Sequence, residues 1–357
     1  MTPDQVYYLW QKANANIWQR HPDPLTSAKL LLSGDTRYEN TCNEFESGNV
    51  KALCFYAPEA IRLARPATTL VMDSTYGTNN AGMDLFAVLA EIDGTGLPLA
   101  YCLLQVVKSP EAGNKSVRAD LGAKLCVLTK FLERLKEKID LRPRFFAIDK
   151  DAAEIFAVKS VWPHTKVQLC YWHVKRAVNL KLCEAKKTKT QDRYWPAQAQ
   201  QLIPHLEVCW GSLPTRRPLG DHFVGRCNCP SKAERVEEEG RLEPANKDER
   251  DSVLEIMRRH FHLHPLIPDE NGTFKSAETI HRECAAEMYT WCKARGYYRL
   301  WAYLFTSWYS EGQWKLWARS AEPNSIPTVK TTMIVESHWR ILKHNYLHRF
   351  NRPRVDL

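Results

Sequence analysis

Thr69-Leu70-Val71-Met72-Asp73 and Phe145-Phe146-Ala147-Ile148-Asp149 are the two stretches whose reading decides the fold. Each is a short apolar run that ends on an aspartate, the pattern of a buried strand leaving a sheet. Between them, the apolar runs at 85–90 and 97–104 flank the turn Asp93-Gly94-Thr95-Gly96, so the first three runs read as a meander of strands. Leu125, Leu128, Phe131, Leu132 and Leu135 recur at helical spacing and predict an amphipathic helix over 121–139. Past Asp149 the pattern predicts a helix over 152–161, a strand over 166–169 and a helix over 172–182. The order across 67–183 is therefore βββαβαβα, an α/β protein.

Residues 1–66 read as a helical region. Thr2, Pro3 and Gln5 form a helix-start signature, with Val6, Leu9, Trp10, Ala13 and Ile17 at helical spacing behind it, and further helices are predicted over 25–32 and 58–63. Beyond 183 the strand signals stop. Residues 186–250 carry basic clusters, prolines and little periodicity, which reads as loop or disorder. Residues 251–319 are helical and aromatic-rich, with Tyr289, Trp301, Trp308, Tyr309, Trp314 and Trp317 expected mostly in a core. The final segment, 331–357, is read as one helix from about 332 to 348 and then an abrupt stop, as if the chain were part of a longer protein.

The chain has 357 residues, 44% of them hydrophobic, and a formal net charge of +9. That composition supports a sizeable core, and the positive balance favours an anionic partner such as nucleic acid. Its 11 cysteines are an odd, scattered set with several in apolar runs, the usage of a reducing compartment, cytoplasm or nucleus. No secretory signal and no membrane-spanning run are present, so neither export nor membrane insertion is expected.

Asp73 and Asp149 end strands that should be sheet neighbours, which sets two carboxylates side by side, an arrangement that is repulsive unless a cation lies between them. The last helix offers a third. Val335, Trp339, Leu342 and Tyr346 predict its buried stripe, leaving Glu336, Arg340 and Lys343 together on an adjacent face. Arg340, Lys343, Arg349, Arg352 and Arg354 occur with no acidic residue between 337 and 355, which favours phosphate contact and DNA binding.

The block Val71-Met72-Asp73-Ser74-Thr75-Tyr76-Gly77-Thr78-Asn79 resembles the first-aspartate block of Mutator-like element (MULE) transposases, a DDE superfamily. The stretch at 148–155, with Cys170 and His173 following, is similar to that family's second-aspartate block and its Cys-x-x-His signature, and 332–343 resembles the glutamate block. The resemblance covers roughly 50–354 and matches the region between the second and third blocks only loosely. It implies an RNase H-like mixed sheet with an all-helical insertion before the last catalytic helix. The core would be 67–183 completed by 331–357, and the insertion 184–330.

It further implies catalytic, metal-binding roles for Asp73, Asp149 and Glu336 around two Mg²⁺ ions, for which Mn²⁺ could substitute, since an all-oxygen set suits hard cations. Asp151 is the rival to Asp149, which is preferred because it directly ends the strand while Asp151 fits the cap of the next helix. The implied activity is cleavage at transposon ends and strand transfer into target DNA, by a nuclear homo-oligomer on double-stranded DNA. Two alternatives are a domesticated DNA-binding regulator and an RNase H-like nuclease that hydrolyses without joining. Retention of three mutually repelling acids favours an enzyme over a pure binder. Cys170 and His173 are half a zinc set, and Cys227 and Cys229 would have to complete it at unusual spacing, so zinc is not expected and a positioning role near the site is preferred. The zinc-type module and Cys/His-rich finger that often flank this family's core are not visible, so end recognition is expected to rest on other segments or partners.

Overall fold

The computed structural model describes residues 1–36, 42–107, 120–138, 142–184, 194–207, 242–244, 246–327, 329, 332–347 and 352–356. By internal contacts the chain divides into two units, Met1–Val167 with Val329–Leu357, and Gln168–Thr328.

In the first unit, α1 (Pro3–Trp18) starts on a complete capping box: the Thr2 hydroxyl accepts from Gln5 N at 3.3 Å and Gln5 accepts from Thr2 N at 2.9 Å. Asp23 caps α2 (Pro24–Ser33) through Thr26 N at 2.8 Å. The region expected to be helical then holds a hairpin, β1 (Asn43–Ser47) and β2 (Val50–Tyr56), before α3 (Pro58–Leu63). Ser47 pairs with Val50, so the turn is only Gly48-Asn49. Gly48 supplies φ +51 at its first position, which a two-residue hairpin turn of the primed kind requires.

The core elements follow in the expected order: β3 (Thr69–Thr75), β4 (Asp84–Ile92), β5 (Thr95–Val106), α4 (Leu121–Lys138), β6 (Phe145–Ile148), α5 (Ala152–Val161) and β7 (Lys166–Leu169). At the β4–β5 turn Asp93 and Gly94 both take positive φ, +49 and +78. The seven strands form one mixed sheet in the order β1-β2-β5-β4-β3-β6-β7, with β6 parallel to β3 and the pairs from β1 through β3 antiparallel.

Pleat parity sorts the two faces of the sheet. Tyr56, Cys54, Cys102 and Phe86 share one face, and α4 covers it: Tyr56 donates to Phe131 O at 3.1 Å and Lys124 lies over the Phe86 ring. Phe55, Tyr101, Ala87 and Asp73 share the other. That second face receives α12 (Met333–Ile341), which continues into a π-helical turn at Leu342–Tyr346.

The second unit is helical: α6 (Tyr171–Cys183), α7 (Pro196–Leu202), α8 (Lys247–His262), α9 (Ala277–Lys293), α10 (Tyr298–Leu304) with a π-helical extension at Phe305–Tyr309, and α11 (Glu311–Trp317). Trp301, Trp308, Trp317, Tyr289 and Tyr309 are fully buried, as the aromatic pattern predicted. His260 bridges Tyr309 Oη at 2.7 Å and Glu287 at 3.0 Å, and His281 Nε2 meets Tyr309 O at 2.7 Å. The stretch 186–250 is not all loop: α7 and the first turn of α8 lie in it, with Tyr194, Ala199, Ile203 and Leu206 buried. Residues 208–241 lie outside the described set. By internal contacts α6 falls in the helical unit, which begins at Gln168. No helix among the described residues is long and apolar enough to cross a membrane.

Candidate active site

The β3–β6 register aligns Thr69 with Phe145, Leu70 with Phe146 and Val71 with Ala147. Continued two residues beyond its last pair, that register would bring Asp73 level with Asp149, the residue that follows β6. Val71 and Ala147 both face the α12 side, and the period of two returns Asp73 and Asp149 to that same face. Asp73 is 8% exposed and Asp149 half-buried. The two aspartates singled out from sequence thus belong to neighbouring interior strands, Asp73 within β3 and Asp149 just past the end of β6.

Three contacts dock α12 on this face. Val335 and Trp339 enter a cluster with Val71, Ala87, Leu89 and Ala147. Ile334 lies directly against Gly96, where a Cβ would stand 2.0 Å from its Cγ2, so only glycine admits the helix at this depth. Tyr101 Oη and His338 Nε2 are 3.0 Å apart. Trp339, 6% exposed, also donates from Nε1 to Asp73 Oδ2 at 3.2 Å. Glu336 precedes Trp339 by three residues, about 4.5 Å along the axis, and is half-buried with its Oε1 3.4 Å from the Thr332 hydroxyl.

The expected stripe on α12 holds for Val335 and Trp339 and fails at Tyr346, which is 66% exposed. The π-helical turn at Leu342–Tyr346 adds residues to the turn and rotates Tyr346 off the buried face. Arg340 is exposed and Lys343 half-buried on the final helix, and Arg352 is exposed at φ +52. Arg354, expected to contact DNA, is bonded within the fold. Its guanidinium donates to Asp356 at 2.9 and 3.0 Å and to the carbonyls of His21 and Pro22, because Asp356, just past the acid-free run, folds back onto it. Arg349 lies outside the described residues, as do Cys227 and Cys229.

Asp151 sits where a cap should. Its Oδ1 accepts from Ala153 N at 2.9 Å and Glu154 N at 3.2 Å, and its Oδ2 pairs with Lys124 at 2.9 Å. Behind it Glu154, 3% exposed, lies 3.9 Å from the same ammonium. Burial pushes the Glu154 carboxyl well above the usual carboxylate range; Lys124 opposes this, and the charges of Asp151, Asp149 and Asp73 add to it. Sequence reasoning missed Lys124 and Glu154, whose only signal was helical position, and missed that Trp339, expected in the core, also touches Asp73.

The donor chemistry of Asp73, Asp149 and Glu336, carboxylate oxygen throughout, fits Mg²⁺ or Mn²⁺. Among the described residues no three acidic, histidine or cysteine side chains are gathered closely enough to hold one ion together. Cys170 is the buried residue at the start of α6, in the helical unit, and His173 stands edge-on to Trp172 with ring centroids 4.7 Å apart. No protein-family model matches this chain, and no curated protein matches it either.

Proposed function

We propose that this chain is a metal-dependent phosphodiester-cleaving enzyme on an RNase H-like sheet. More particularly, it is the catalytic core of a DNA transposase of the Mutator-like kind, cutting at transposon ends and joining them to target DNA. The observation that carries the reading is the docking of α12 on the Asp73 face of the sheet, with Glu336 one turn from the residue that touches Asp73; the parallel β3–β6 pairing, continued two residues, supports Asp149 as the neighbour of Asp73. The strand order β5-β4-β3-β6-β7, antiparallel through β3 and parallel from β3 to β6, supports the RNase H-like assignment.

Asp73, Asp149 and Glu336 would hold a pair of Mg²⁺ ions, which supply charge neutralisation at the phosphate and lower the pKa of attacking water. Arg340 and Lys343 reach the DNA backbone from the same helix and offset the charge that builds on the phosphate. In the first reaction water displaces the 3′ oxygen at the transposon end. In the second, that freed 3′-OH displaces the 3′ oxygen of a target phosphodiester, one P–O bond forming as one breaks, with no external energy source. The fitting context is nuclear, on double-stranded DNA, as a homo-oligomer that pairs two ends.

The test is nicking of supercoiled plasmid, and cleavage of a labelled duplex carrying the repeats that flank the gene, in Mg²⁺ or Mn²⁺. Asp73→Asn, Asp149→Asn and Glu336→Gln should each abolish both, and Asp151→Ala should retain both. DNA binding without cleavage by wild type would favour the regulator reading, and cleavage without joining the simple nuclease.

A further inference from the structure

Asp73 is almost fully buried, within β3 and on the face that α12 covers. A donor that meets it is the indole of Trp339, bonded to Oδ2 at 3.2 Å from a ring fixed among Val71, Ala87, Leu89 and Ala147.

The chemistry of that donor is specific. An indole N–H gives one hydrogen bond, accepts none, does not titrate and cannot ligate a metal. Lysine or arginine at 339 would place a full positive charge where a cation is to bind. Histidine would bring a competing ligand. Tryptophan stabilises the carboxylate and fixes its orientation without doing either. The same contact ties Asp73 to the helix that carries Glu336, three residues earlier, so one hydrogen bond sets two carboxylates from different elements relative to each other.

We infer that Trp339 is a positioning residue: its Nε1–H orients the Asp73 carboxylate for divalent-cation binding and registers Glu336 against it. The inference rests on the metal-site reading of Asp73, Asp149 and Glu336. Removing a hydrogen-bond partner of a metal-ligating carboxylate should weaken cation binding about ten-fold.

The experiment measures Mn²⁺ binding to the full chain by calorimetry and by electron paramagnetic resonance, without DNA. It compares wild type with Trp339→Phe, Trp339→β-(3-benzothienyl)alanine and Asp73→Asn. The benzothienyl side chain keeps the indole's shape and replaces N–H by sulfur, so it separates the hydrogen bond from packing even if the phenylalanine variant folds poorly. The expected result is about ten-fold weaker Mn²⁺ binding by the isostere in a chain that still unfolds cooperatively, with plasmid nicking displaced to higher Mn²⁺ and largely recovered at saturation. Wild-type affinity in the isostere, together with lost binding in Asp73→Asn, overturns the positioning role and leaves the metal site standing. Wild-type affinity in Asp73→Asn overturns the metal site itself and this inference with it.

Discussion

Gly96→Ala tests the placement of α12 on the sheet, on which the position of Glu336 depends. A Cβ at 96 would lie 2.0 Å from Ile334 Cγ2 and 2.9 Å from Leu89 Cδ2. Carbon atoms in contact sit about 3.5–4.0 Å apart, so Ile334 must retreat by roughly 1.5 Å or more. Overpacking of that kind costs about 1–3 kcal/mol. The backbone itself does not object, because Gly96 pairs with Glu91 in β5 and is not among the glycines at positive φ. Alanine therefore also gains about 0.4–1 kcal/mol from a less flexible unfolded chain. The net expectation is destabilisation of about 0–2.6 kcal/mol, read as a lower urea midpoint at constant slope. In an Ile334→Ala background the 2.0 Å clash is gone and only the 2.9 Å approach to Leu89 Cδ2, the end of a flexible side chain, remains, so the same substitution should cost much less or become neutral. That difference is a coupling of about 1–3 kcal/mol between two residues 238 positions apart in sequence. Nicking should fall by about 100-fold in the single variant, the usual consequence of displacing a catalytic group by an ångström. An equal effect of Gly96→Ala in both backgrounds refutes the docking, and with it the assignment of Glu336.

Three further outcomes follow from the geometry. Asp151→Ala should cost about 1 kcal/mol or somewhat more, through loss of the α5 cap and the Lys124 pair, while cleavage persists; loss of cleavage at unchanged stability would transfer the catalytic role from Asp149 to Asp151. Alanine at Arg340, Lys343 or Arg352 should lower the salt dependence of DNA binding by about 0.9 in log–log slope for each phosphate left without its cation, whereas Arg354→Ala should leave the slope alone and lower the melting temperature. Burial holds the imidazoles of His260 and His281 below the usual histidine range, so both are neutral in the fold and take up protons on unfolding. Their contribution to stability is complete above the unfolded value near 6.5. It falls by about 1.4 kcal/mol per pH unit for each as the pH drops below that toward their folded values. Glu287, held down to about 2 chiefly by its hydrogen bond to His260, adds a loss in the same direction at lower pH, between 4.5 and 2. A melting temperature that stays level from pH 7.5 to 5 would contradict the burial of both histidines as neutral groups.

The parts of this molecule that sequence foretold are those whose cause is local. Thr2 and Asp23 cap their helices because a hydroxyl or carboxylate two to three residues before a free N–H has one good partner, and Asp151 does the same. The meander β3–β4–β5 shows in its apolar runs and its Asp93-Gly94 turn. The hairpin β1–β2 is not legible in the same way, although Gly48-Asn49 is a recognisable two-residue turn. Its strand β1 is an edge strand of charge and half-burial, Asn43-Glu44-Phe45-Glu46-Ser47, whose identity comes from pairing with β2 rather than from its own pattern. The phase of the last helix failed for a related reason. A strict 3.6-residue period carries Tyr346 inward, and the π-helical turn that sends it outward has no composition of its own.

At the site the same division has a chemical consequence. Asp73 and Asp149 were legible because each follows a short apolar run, although β3 carries on past Asp73 to Thr75, and their relation depends on a parallel register between residues more than seventy positions apart. The hydrogen bond from Trp339 to Asp73 spans 266 positions and leaves no periodic trace, since an inward tryptophan satisfies the core pattern whether or not its N–H has an acceptor. A buried tryptophan within a turn of a candidate ligand is therefore defined as much by what its nitrogen reaches as by what its ring packs against. Here that nitrogen joins the helix of the third carboxylate to the first, which makes the geometry of the three acids a property of one helix–sheet contact rather than of three independent positions.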